Sequence, residues 1–190
     1  MLHLFKKKNQ QDAVAPPVDK RFARKGFTAT FETFIHAARC LRGDAAGENC
    51  ALYLYVRERE TEKVRARFED PACVGREAFT MLFWEPFLGS FYDSFLQSSV
   101  SRLFTELKGQ LGFMYDNHKG IYFERHFEFD AEAMSAVIVL LLEEVYHLRP
   151  EDVCLEIQLL DFNRAENEST ATFDCDGNKI ASSGFPQELF

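Results

Sequence analysis

Hydrophobic positions along the chain change period several times, and each change marks an element. In "ATFETFIHAARCLRG", Phe31, Phe34, Ile35, Ala38 and Leu41 recur at helical spacing, and Gly43 ends the run. "CALYLYVRERETEKVRARFED" then alternates. Leu52, Leu54 and Val56 share one face of a first strand, with Tyr53 and Tyr55 on the other. A returning arm sets Val64, Ala66 and Phe68 inward and Lys63, Arg65 and Arg67 outward, around a fully charged tip. Residues 76–111 read as mostly helical, interrupted near Pro86 and Gly89. The second part of that stretch carries a clear stripe of Leu96, Val100, Leu103, Phe104, Leu107 and Leu111.

A second hairpin is expected about the turn "DNHKG". Asp130 follows it at an N-cap position, before an amphipathic helix with Met134, Val137, Ile138, Leu141, Leu142 and Val145 on one stripe. His147 and Arg149 suit the negative end of that helix, and Pro150 closes it. "VCLEIQLLDF" and "STATFDCDGNKIASS" supply the last strands, the latter turning at "DGN". The order predicts an α+β fold, a largely antiparallel sheet with helices packed mainly on one face. Residues 1–25 have no period and read as a flexible basic tail. Residues 26–190 read as one domain with a C-terminal hairpin at about 153–183.

Charge sharpens this division. Residues 1–25 hold seven Lys/Arg against Asp12 and Asp19, a surplus of +5 that leaves −13 on the rest of a chain whose net charge is −8. An acidic body repels phosphate backbones, so nucleic acid is not an expected partner. Five scattered cysteines without a C-x-x-C pair, and no apolar stretch of signal or membrane-spanning length, point to reduced thiols in a cytoplasmic protein. The twenty phenylalanines can fill a core with few residues, and can also leave aromatic surface for a partner.

Candidate chemistry centres on "YFERHFEFD", residues 122–130. Strand parity sets Glu124, His126 and Glu128 on one face, where two carboxylates flanking an imidazole can ligate a metal or move a proton. The neighbours Glu124 and His126 are close enough to share one metal, but no H-x-H, H-E-x-x-H or Cys cluster offers the further ligand a site needs, and the same stripe suits a solvated sheet face paired across strands with Lys63, Arg65 and Arg67. Neither a metal nor another cofactor is therefore expected. Arg125 falls by parity with Phe123, Phe127 and Phe129 on the core face. It must pair with Glu143 or Glu144, snorkel, escape through a bulge, or anchor a ligand with help from Tyr122, Glu124 or His126.

"DCDGN" imitates the start of a calcium loop, but its twelfth position is Phe185, so a tight turn is expected instead. Cys175 between two aspartates is expected to be a poor nucleophile. No G-x-S-x-G, P-loop or G-x-G-x-x-G occurs. The run 79–95 reads at helical spacing first as core, but Phe83, Trp84, Phe87, Phe91, Tyr92 and Phe95 cannot all face one way on a short helix, so a docking surface around Pro86 is the alternative.

The order helix, strands, helix, two strands, helix over residues 28–149, and above all "GIYFERHFEFDAEAMSAVIVLLLEEVYHL", resembles the small acidic chaperones of type III secretion and their chaperone-like relatives. That resemblance implies a homodimer that holds an unfolded segment of another protein along hydrophobic grooves. The expectation is thus a non-enzymatic protein-binding module, chaperone-like or immunity-like. The alternative is a small enzyme or ligand-binding domain with a pocket organised by Arg125.

Overall fold

A computed structural model describes residues 17–43, 49–70, 79–84, 114–116, 122–163 and 167–186. Its frame is an antiparallel sheet of eight strands in the order β4-β5-β3-β2-β1-β6-β7-β8. These strands are β1 (Cys50–Glu58), β2 (Val64–Glu69), β3 (Phe79–Trp84), β4 (Met114–Asp116), β5 (Tyr122–Phe127), β6 (Val153–Asp161), β7 (Glu168–Phe173) and β8 (Lys179–Ser183). Two helices, α1 (Lys25–Gly43) and α2 (Ala131–Leu141), pack together and cover one face, so the fold is α+β. The described part of the expected tail, residues 17–25, is not featureless: it holds a 3-10 turn at Lys20–Phe22, and Val18 packs against the core.

Alternation in β1 works as the sequence predicts. Leu52, Leu54 and Val56 are sealed, while Tyr53, Tyr55 and Arg57 occupy the face opposite α1 and α2. Antiparallel pairing with β6 sets Leu54 opposite Ile157 and Val56 opposite Leu155, and β7 adds Ala171 and Phe173. Onto this floor α1 lowers Phe27, Phe31 and Phe34, each fully buried. Phe31 meets Phe68 edge to face at 4.7 Å, the offset arrangement that the ring quadrupoles favour. Phe68 in turn lies 5.8 Å from Phe127 of β5.

Four expectations need correction. Phe79–Trp84 forms a strand rather than a helix, and it separates β2 from β5. The strand that carries Glu124 and His126 is therefore not the neighbour of the strand that carries Arg65 and Arg67, as the expected cross-strand pairing required. Secondly, β2 carries a bulge: Val56 pairs with Ala66 but Arg57 pairs with Val64, which takes Arg65 out of the outward stripe. Val64 consequently shares the face of Arg57 instead of the core. Thirdly, α2 is not amphipathic, since Ser135, Ala136 and Val139 are buried along with Met134, Val137 and Ile138. Lastly, α2 runs into a single π-turn at Leu142–Tyr146, closed by His147 in the left-handed conformation (φ 53°).

The bulge and the π-turn meet. Arg65 pairs with the buried Glu58 and stacks its guanidinium 5.1 Å from the Tyr146 ring centre, and the Tyr146 hydroxyl donates to the Arg65 carbonyl at 3.0 Å. The extra strand residue and the widened helical turn thus satisfy each other's polar groups. A second clamp ties the entry of α1 to α2. The Ser135 hydroxyl accepts from the Arg24 N–H (2.9 Å) and donates to the Arg24 carbonyl (3.2 Å).

Candidate functional site

Between α1 and the junction of β5 with α2 runs an open groove of about 740 Å³. One wall is a stripe of α1, Glu32, Ile35, His36 and Arg39, at the i, i+3, i+4, i+7 spacing of one helix face. The other wall is residues 128–132, and Lys20 stands at the end. Its shape follows from local sequence. β5 ends at Phe127, and Asp130 caps α2 by accepting from the Ala133 N–H at 3.0 Å. The two residues between strand and cap make a bend, which turns Phe129 away from the core where alternation would have placed it. Phe129 is 37% exposed, and the Arg39 guanidinium lies over its ring at 4.9 Å.

The groove is acidic on balance, with Glu32, Glu128, Asp130 and Glu132 against Lys20 and Arg39. Lys20 is engaged by Asp130 (2.7 Å) and Glu132 (3.4 Å). Burial pushes the Asp130 carboxyl up, but hydrogen bonds from Lys20 and the Ala133 N–H outweigh it and hold that group below the ordinary carboxylate range. Glu32 and Glu128 take part in no side-chain ion pair or hydrogen bond among the described residues. His36 touches the Cys40 sulfur at 3.6 Å, across one helical turn. The lining is mostly polar, and its apolar members are Ile35 and Ala131, both nearly sealed, and the Phe129 ring.

Of the residues singled out from sequence, Tyr122, Glu124, Arg125 and His126 lie on β5 between β3 and β4. Tyr122 stands opposite Trp84 and Asp116, Glu124 opposite Leu82 and Met114, Arg125 opposite Met81, and His126 opposite Thr80. The β3–β5 register runs unbroken from Phe79↔Phe127 to Trp84↔Tyr122, so no bulge intervenes at Arg125. The side chains of these four lie outside the described part of the structure. Glu143, one of the expected partners of Arg125, lies 3.7 Å from Arg24. Phe83 and Trp84 are on β3, while Phe87, Phe91, Tyr92 and Phe95 fall outside the described residues. Glu128, the last member of the carboxylate–imidazole stripe, lines the groove.

The sheet face opposite α1 and α2 has its own order. Arg57 bonds Glu156 (2.9 Å) and lies 5.1 Å from the Tyr55 ring centre, while Arg67 pairs with Glu69 and lies 5.4 Å from that of Tyr53. The cations of the first hairpin are thus used within their own part of the sheet. Asp174 accepts from the N–H groups of Asp176 (3.0 Å) and Asn178 (2.8 Å), so "DCDGN" is a closed turn about Gly177. Burial and the neighbouring Asp176, Glu151 and Asp174 charges raise the Cys175 thiol, and burial raises Cys154.

Among the described residues no three His, Cys, Asp or Glu side chains converge as a metal site, and no helix is long and apolar enough to cross a membrane. Comparison with protein-family models, with curated proteins and with solved structures gives no match.

Proposed function

We propose that this chain is a non-enzymatic polypeptide-binding module, chaperone-like or immunity-like, and that it receives a partner segment in the groove between α1 and the β5–α2 junction. One observation carries the reading: an exposed aromatic ring, Phe129, lies under a guanidinium in a groove with a carboxylate rim. Aromatic and Arg anchors beside small apolar surface are the composition from which protein-binding hot spots are made. The element order supports the likeness to the secretion chaperones, since three strands follow α1 as they do in that family, and two more precede α2. A homodimer belongs to the same proposal.

The segment that suits such a groove combines apolar side chains with Lys or Arg. Peptides selected by display on the full chain should be enriched in that combination. Phe129→Ala should weaken them by roughly tenfold or more, as the loss of an interface anchor does. Selected peptides that bind the Phe129→Ala chain as tightly as the parent chain would refute the assignment of the groove. Light scattering reads the dimer separately.

A further inference from the structure

The same groove is the natural berth for a piece of this chain itself. Lys20, which lines its end, is only three residues past Pro17, where the described chain begins. The sequence before it opens "MLHLFKKKNQ", a cluster of Leu2, Leu4 and Phe5 followed directly by Lys6, Lys7 and Lys8. Residues 1–16 hold three lysines against Asp12 alone, whereas the groove has a carboxylate surplus. Twelve residues separate Lys8 from Lys20, a tether of about 40 Å when extended, ample to lay the cluster back along the groove. A volume of about 740 Å³ is in the range of sites that take a few side chains at once.

We propose that the groove is a docking site for this chain's own N-terminal segment, Leu2–Lys8. Leu4 and Phe5 would lie beside Phe129 and Ile35, and the lysines would meet Glu32 and Glu128, the two rim carboxylates without ion pairs among the described residues. The inference rests on the groove being a polypeptide site and adds its regulation. A tethered segment is present at an effective concentration near millimolar, so docking with a Kd of about 0.1 mM weakens a free competitor roughly tenfold. The tail is then a built-in occupant that a partner must displace.

The test uses the full chain with Phe5 replaced by photoreactive p-benzoylphenylalanine. Illumination at low protein concentration should give an intramolecular crosslink, mapped by mass spectrometry to residues 32–39 or 128–132. Crosslinks mapping elsewhere would overturn the proposal, as would covalent dimers in place of internal links, which would assign the groove to a second copy's tail. Glu32→Lys with Glu128→Lys should cut the yield by roughly fivefold, the scale of two exposed charge contacts. Adding Lys6→Glu, Lys7→Glu and Lys8→Glu to that chain should restore it, a rescue that simple misfolding would not show. An unchanged yield in the first variant, or no rescue in the second, would also overturn it.

The lysine-reversed chain without groove changes should bind display-selected peptides roughly tenfold more tightly than the parent, because the tethered competitor is gone. Peptides that bind through Phe129 with no gain from lysine reversal would sink the tail docking alone. Peptides insensitive to Phe129 would sink the binding groove itself.

Discussion

Gly26, in the first turn of α1, offers a prediction whose sign is decided by geometry. A Cβ built on it would fall inside 3.0 Å of the Cys175 carbonyl oxygen and of the Asp176 backbone, closer than real Cβ atoms come. Across the contact Gly177 adopts φ +82°, and a Cβ there would sit 2.9 Å from the Gly26 carbonyl oxygen. Helix and turn therefore approach backbone to backbone, and neither obstacle is the yielding end of a side chain. Gly26→Ala has two opposed effects. Forcing a methyl into this contact should cost about 3 kcal/mol, the upper end of ordinary overpacking. Removing a glycine from a helix returns up to about 1 kcal/mol. The net loss is about 2 kcal/mol, or roughly 4–8 °C in Tm for a domain of this size. Differential scanning calorimetry reads it directly, and hydrogen exchange should quicken first at residues 174–178. An increase of roughly 2–4 °C, which helix propensity alone would give, would refute the close approach and with it the docking of the last hairpin against α1.

Three further outcomes follow from contacts already described. Arg65→Ala strands the buried Glu58 carboxylate and should cost roughly 2–3 kcal/mol in urea unfolding, while Tyr146→Phe, which removes only the hydroxyl bonded to the Arg65 carbonyl, should cost about 1 kcal/mol. Asp130→Ala should cost about 1 kcal/mol as a lost N-cap and Asp130→Asn only a few tenths, because the amide oxygen still accepts from Ala133. Burial raises Glu58, but its bonds to Arg65 and Thr61 outweigh that and leave it, like Asp130, below its ordinary value. Stability from both should be complete above the ordinary carboxylate range and decline as pH falls through it and below. Urea midpoints against pH should show that slope, and Arg65→Ala should flatten it.

How far the sequence could be read depends on whether a residue's role is decided locally. The stripe Phe31, Phe34, Ile35 and Ala38, the alternation Leu52–Val56, the Asp130 cap and the turn about Gly177 each follow from a period or a short-range hydrogen bond, and each is present. Phe79–Trp84 is different. It is hydrogen-bonded to strands on both sides, and "FTMLFW" has no polar alternation to separate a strand from a helix. The bulge at Arg65 depends on what faces it, namely Glu58 and Tyr146, so parity carried one residue too far. The groove escaped for a similar reason. Its walls are about ninety residues apart in sequence, and Phe129 was assigned to the core by extending an alternation that stops at Phe127. The visible clue was Asp130: a cap needs a break before it, and that break decides where Phe129 points.

Strand β1 sits mid-sheet between a neighbour that follows it at once and another, β6, that arrives late. Arg57 meets Glu156 across 99 positions and Arg59 meets Val153 across 94. On the ribosome, β1 must emerge and wait with one ladder of amide and carbonyl groups open while the middle of the chain is made. Closure of so long a loop makes the β1–β6 seam slow to form. A nascent chain halted before Asp161 should thus stay protease-sensitive and prone to pair with its neighbours, and become resistant only once β6 has cleared the exit tunnel.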